Sequence, residues 1–451
     1  MKNQRAVICY IPTNLDITKL KGYNPRWHDK YHWFIHSIIF KQLTSKDAFG
    51  GYVNLTSTLL QKFLGTNYAK QVIDQLINAK VIEYNKAYSV GAFSKSYRLA
   101  KRYAKKPIKG VEIKKDTYKR KVIKHRENYL KDVLKENKNA RAEFLKLTYA
   151  RIDVTSAINY IQSKYNVNSP EYKARLIAID QYNNMHKASF SNGVWSTDFT
   201  FKVNKGRIYS PVTMLARDLE QFTYFEGYEE WKSVTMDMPN SQLCFYNLLT
   251  TGDTDVLNNI GENTSGDDMN IKNVSGVPTP PIPSPLHTPY VIEIAHPYKW
   301  VDFISNGKGY ERMMYLTKWK EKESGWTSAE RQEFKAEFFG QLFYNQYRDR
   351  LTDMEIVFMQ HHENEALLLR EHKKHYGNKL LAVKVQALEA YFFHTIIVTI
   401  MEREFKQVPY TIKHDSITMP SNEAERIYPV LNQLAKEFFS RNEIELKWEE
   451  K

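Results

Sequence analysis

Four side chains spaced by four residues pose the first chemical question. In RQEFKAEFFGQLF, residues 331–343, Arg331, Lys335, Phe339 and Phe343 share one slowly drifting stripe of an α-helix, because four residues advance a helix by about 400°. Two long cations lead into two aromatic rings. That order suits a nucleoside triphosphate: fixed charge grips the phosphates, and a planar surface stacks on the base. A plainer reading stands beside it, in which Arg331 and Lys335 snorkel at the rim of a core helix whose Phe rings are buried.

Two aspartates extend the chemistry. Asp237 ends an alternating stretch in EEWKSVTMDMPNSQLCFYNLL, followed by a polar turn and by Gln242 opening an apolar helix. Asp415 lies in PYTIKHDSITMP, where the two strands of a hairpin meet at His414-Asp415-Ser416. Carboxylates at strand ends are what two-metal phosphoryl transfer requires. Mg²⁺ is hard, takes carboxylate and phosphate oxygens, and needs rigid anchors for two ions about 4 Å apart; Mn²⁺ can substitute. FKVNKGRIYSPVT adds Gly206 and Arg207 at a strand end. Each has a bland alternative: Asp237 as a turn residue, Asp415 as a hairpin-turn residue, His414 as a satisfied core histidine. Gln386 and Glu389, in KVQALEAYFF, read as helix-surface residues. His361 and His362, with Glu363 and Glu365, lack zinc-protease spacing and read as a solvated loop.

Charge narrows the partner. The 451 residues carry a net charge of +14, with 42% hydrophobic and 26% charged residues, normal for a globular chain. From Lys95 to Arg126 there are fourteen Lys or Arg against Glu112 and Asp116, so 14 − 2 = +12 sits in this stretch. Nucleic acid is the expected polyanion. An anionic membrane fits less well, because the run lacks an amphipathic Trp/Leu face. No membrane span and no signal-peptide core is expected. Cys9 and Cys244 make neither a disulfide framework nor a zinc cluster, so a cytoplasmic setting is expected.

The elements that must position these groups read as α+β. Around residues 30–100, YHWFIHSIIFKQL, NLTSTLLQKFLG and TNYAKQVIDQLINAKVI predict three helices, the second capped by Thr56 or Ser57 and stopped by Gly65. VIEYNKAYSV and SKSYRLAKRY predict two strands around Gly91. Together they read as a winged helix-turn-helix with a basic hairpin, for which DNA is the usual partner, and Lys95, Arg98, Lys101 and Arg102 are its candidate nucleic-acid contacts. The predicted organisation is a winged-helix domain with its basic extension over 1–115, a helical connector over 116–194 and a catalytic domain over 195–451. A Gly, Asn, Ser and Pro-rich insertion interrupts the last at 252–290.

The order GRIYS, DMPNSQ, RQEFKAEFFGQLF, KHDS resembles the family A DNA polymerases and the related phage-type single-subunit RNA polymerases, over roughly residues 195–451. In that superfamily a strand-borne Asp precedes a polar turn ending in Gln, matched by Asp237 and Gln242. A fingers helix carries Arg, Lys and an apolar or aromatic residue, matched by Arg331, Lys335 and Phe339; Gly340 matches the DNA enzymes. His414, Asp415 and Ser416 match a His-Asp-Ser of the RNA enzymes. Phe343 stands where Tyr is usual, the turn after Asp237 is two residues longer than in the DNA enzymes, and the glutamate that closes their sugar pocket has no clear counterpart, small Cys244 sitting near that place.

The resemblance implies a reduced right-hand palm and fingers, with residues 116–194 thumb-like. It implies a template-directed nucleotidyltransferase, DNA or RNA polymerase or primase-like, with Asp237 and Asp415 holding two Mg²⁺. Arg331, Lys335, Phe339, Phe343 and Gln242 would bind nucleotide, and Arg207, His414 and Gln386 nucleic acid. Single- or double-stranded DNA template, nucleoside triphosphates and replication proteins of the same phage, plasmid or mobile element are the implied partners. The rival expectation is a non-catalytic winged-helix replication initiator or regulator with a polymerase-like scaffold. A second rival, a nuclease or recombinase using the two aspartates, leaves the Arg-Lys-Phe helix unexplained.

Overall fold

The structure is a computed structural model that describes residues 6–44, 51–85, 95–191, 193–204, 206–251, 309–320, 325–439 and 446–450. It is α+β, with helices around small antiparallel sheets. The predicted insertion at 252–290 and the turn around Gly91 lie outside the described residues. Contacts group the chain into two compact units: residues 1–141, 147–201 and 210–226, and residues 142–146, 202–209 and 227–451.

In the first unit, helix His28–Thr44 buries Tyr31, Phe34, Ile35, Ile38 and Ile39, the spacing of one apolar helix face. Helix Ser57–Leu64 starts where the Thr56 hydroxyl accepts from Leu59 N–H, and stops at Gly65, whose φ of 95° a side chain would resist. Helix Ala69–Asn78 follows. Strand Ser96–Leu99 runs between Val53–Asn54 and Ile82–Asn85, with Ile82 opposite Leu99. The strand expected over SKSYRLAKRY is shorter than the motif: Lys101–Ala104 turns into a short helix. Ile8–Pro12 pairs with Ile108–Glu112. Helices Asp116–Glu136, Val154–Lys164 and Pro170–Asn183 follow, the last two capped by Asp153 and Ser169.

The second unit is built on a four-stranded antiparallel sheet in the order Thr411–Lys413, Ser416–Pro420, Ser233–Asp237, Lys447–Glu450. Helix Ser421–Phe438 covers one face with Ala424, Ile427, Leu431 and Ala435, packed in one core with Val234, Met236, Ile417 and Met419. Helices Ser241–Thr251, Gly309–Leu316, Ser328–Leu342, Asp353–His361 and Glu363–Tyr391 complete that core. By length and composition alone the helical stretch Gly377–Glu404 is apolar enough to cross a membrane. Over half of that window, 56%, is buried against its own protein, as in a core helix. The solvated loop expected at His361–Glu365 is instead the junction of two helices, with His362 buried.

Candidate active site

Asp237 is the last residue of its strand and is exposed. Asp237 stands opposite Ser416 in the ladder, and Met238 N–H donates to the Asp415 carbonyl at 3.2 Å. Two aspartates 415 − 237 = 178 positions apart thus meet at one end of one sheet. The turn that presents Asp415 is tight: Lys413 pairs with Ser416, leaving His414 and Asp415 between the strands, with His414 at φ 57°. That conformation is uncommon without glycine and is tolerated in a two-residue hairpin.

Asp415 is oriented by a residue that sequence reasoning passed over. The Ser241 hydroxyl donates to Asp415 Oδ2 at 2.5 Å, a hydrogen bond to a charged acceptor of the stronger kind. Asn240, at φ 54°, turns the backbone so that helix Ser241–Thr251 begins beside the hairpin. The two carboxylates, one at a strand end and one in a tight turn, and this hydroxyl at a helix start are hard oxygen donors, a set that fits Mg²⁺.

The cationic helix is present as Ser328–Leu342, opened by a reciprocal cap between Thr327 and Glu330. Its stripe divides in two. Arg331 and Lys335 are half-buried and both lie over the ring of Tyr310, at 5.2 and 5.3 Å from its centroid. Arg331 also forms an ion pair with Glu311. Phe339 and Phe343, expected as a stacking surface, are only 5% exposed each and belong to the core. The reason lies in their neighbours: Phe338 beside Phe339, with Tyr310 and Tyr246 from other helices, rings them on the sides that sequence leaves open. The exposed ring at this place is Tyr344, 43% accessible, stacked on Phe339 with centroids 5.9 Å apart. Its hydroxyl donates to Gln242 Oε1 at 3.1 Å. Gln242, Phe339, Phe343, Tyr344 and Gln386 line one small pocket, so four of the predicted site residues do converge.

Tyr310 itself was missed, because no motif surrounds it. Its hydroxyl is buried without a hydrogen-bond partner among the described residues. Burial pushes its pKa up; Arg331 opposes the rise, while Cys244, Asp415 and Tyr344 add to it. The phenol therefore stays protonated, a donor within the electrostatic reach of Asp415 and of the cationic helix.

Glu389 corrects another expectation. It is buried, 2% exposed, and forms an ion pair with Arg207. Burial raises its pKa to about 7, with Arg207 opposing and nearby Asp415 reinforcing the rise. Gly206, at φ 80°, lets the Arg207 strand approach Ala390, where an added Cβ would lie 3.3 Å from the Ala390 Cβ. His414 is half-buried and its pKa is lowered by burial, then by Arg207. His394, within the wide-turn segment Phe392–Ile397, forms a buried pair with Glu143 at 2.7 Å.

In the first unit Lys95, Lys101 and Arg102 are exposed. Arg98 is half-buried, bonded to Glu83 at 2.7 Å and lying over Tyr52 at 4.4 Å, so much of its charge is already answered. Arg102 donates to the Ala79 carbonyl at 2.8 Å. No family model matches this chain, and no curated protein matches it.

Proposed function

We propose that the chain is a template-directed nucleotidyltransferase that joins nucleotides at the Asp237–Asp415 end of the sheet. One observation carries the reading: two aspartates remote in sequence share one end of one sheet, Asp237 as the last residue of its strand and Asp415 in the hairpin turn next to Ser416, the residue paired with Asp237. In this reading the sheet is the palm and helix Ser328–Leu342 the fingers of a polymerase-like domain acting in the cytoplasm. The first unit's three helices and small sheet form a winged-helix module that holds DNA.

Asp237 and Asp415 would hold two Mg²⁺ ions, which supply charge neutralisation at the leaving pyrophosphate and a lowered pKa for the attacking 3′-hydroxyl. The protein's own side chains do the rest. Ser241 holds the Asp415 carboxylate at one angle. Lys335 and Arg331, propped on Tyr310, hold the triphosphate. Tyr344, fixed by Gln242, offers the base a flat surface. Arg207 and His414 face the nucleic acid at the primer side, and Lys101 and Arg102 bind phosphates from the first unit.

The test is direct: the protein is incubated with primed and unprimed single-stranded DNA, Mg²⁺, and either dNTPs or NTPs. Extension or de novo products support the reading. The Arg331–Glu311 ion pair and the burial of Phe339 favour a second reading, a non-catalytic DNA-binding initiator. It predicts DNA binding with no incorporation from any nucleotide.

A further inference from the structure

His28, Asp29 and His32 lie on the first turn of helix His28–Thr44, outside the site described above. One donor atom from each falls within 4.8 Å of the other two, and among the described residues no other group of three His, Cys, Asp or Glu does so. The i, i+4 spacing puts both imidazoles on one helix face, with ring centroids 4.6 Å apart. Asp29 and His32 are buried, 2% and 6% exposed, and His28 is half-buried.

Each donor is prepared for a ligand. Among the described residues no hydrogen-bond partner reaches the buried Nδ1 of His32, a state that is unfavourable unless something occupies that nitrogen. His28 Nδ1 lies 2.7 Å from the Tyr23 hydroxyl. With that nitrogen donating to the phenol oxygen, Nε2 turns its lone pair outward, the arrangement in which a second hydrogen bond orients a metal-binding imidazole. The Asp29 carboxylate is fixed by two backbone donors, Lys114 N–H to Oδ1 at 3.0 Å and Lys115 N–H to Oδ2 at 2.8 Å. Each oxygen keeps a further lone pair. A solvent-open cavity of about 770 Å³ reaches His28 and His32 and gives an ion its entry path.

The donor set selects the ion. Lys109, Lys114 and Lys119 share the cavity with Asp16 and Glu112, and Lys119 is ion-paired with Glu112, so the surrounding charge is mixed. Two imidazole nitrogens beside one carboxylate suit a borderline first-row ion, whereas Mg²⁺ and Ca²⁺ take oxygen donors. We propose that His28, Asp29 and His32 bind one zinc-like divalent ion, tying the first helical turn to the strand exit at Lys114–Lys115. This site is independent of the nucleotidyltransferase reading.

The experiment is Zn²⁺ titration of the chelator-treated full-length protein against a metallochromic competitor, with melting temperature in parallel. The parent should bind one equivalent that is lost in His28→Gln and in His32→Gln and kept in Asp237→Asn/Asp415→Asn, and Zn²⁺ should raise the melting temperature of the parent alone. Should both His variants fail to fold, Tyr23→Phe keeps all three ligands and should weaken Zn²⁺ about 10- to 100-fold. The inference is overturned if the parent binds no equivalent, if both His variants bind as the parent does, or if Tyr23→Phe, as the fallback, leaves affinity unchanged.

Discussion

The sheet that presents Asp237 and Asp415 and the helix that presents Arg331, Lys335, Phe339 and Phe343 belong to the same unit, yet sequence ties their side chains to place with different force. On a strand the side-chain period is two, and a tight turn fixes which residue sits at the tip. Asp415 has one place to be once Lys413 pairs with Ser416. A helix stripe turns by 100° per residue, and which part of it meets water depends on the neighbouring helices. Here Tyr310 and Tyr246 arrive from elsewhere and close over Phe339 and Phe343, while the cations keep their rim position.

The largest expected effect tests the sheet. Asp415→Asn or Asp237→Asn should abolish incorporation, a loss exceeding the roughly 10²–10³ of a single lost hydrogen-bond donor, because each removes a charged ligand. Circular dichroism and DNA binding should match the parent. Parental incorporation in both variants would end the catalytic reading of this sheet.

The helix comes next, and the structure changes what it should show. Phe339 is core, so Phe339→Ala should cost about 3–5 kcal/mol of stability instead of acting mainly on nucleotide KM. Lys335→Ala should lower incorporation by about two to three orders of magnitude with little change in melting temperature. Tyr344→Ala should raise nucleotide KM by the loss of about 1–3 kcal/mol of stacking. A Lys335→Ala enzyme at parental rate would leave the helix purely structural.

Smaller still is the contribution of one surface cation in the first unit. DNA affinity should fall steeply with salt, and Lys101→Gln, exposed and outside the unit that carries the candidate catalytic groups, should reduce the log–log slope by about 1. An unchanged slope removes Lys101 from the DNA contact.

What could be read beforehand follows the same physics. Caps, stops and strand tips are local, so Thr56, Gly65, the Asp237 strand and the His414–Asp415 turn were legible from neighbours in sequence. Ser241, Tyr310, Tyr344 and the burial of Glu389 are made by contacts across 331 − 310 = 21 to 182 positions, and no local pattern encodes them. Ser241 did leave a trace, as a polar residue at the helix start one position before Gln242. Tyr310 left none.

The smallest predicted effect separates sequence from structure most cleanly, because a helix-surface Glu389 would show nothing. As a buried acid whose pKa is raised from 4.5 to about 7, Glu389 binds its proton more tightly folded than unfolded. Its favourable contribution is therefore full below about pH 4.5 and is lost as pH rises towards and through 7. Glu389→Gln keeps the shape and an oxygen for Arg207 but never ionises. Its melting temperature minus the parent's should be near zero at pH 5 and positive at pH 8, by a few degrees. A variant that is less stable than the parent at pH 8 would mean that Arg207 more than offsets the desolvation of the ionised carboxylate, and that burial does not dominate this pair.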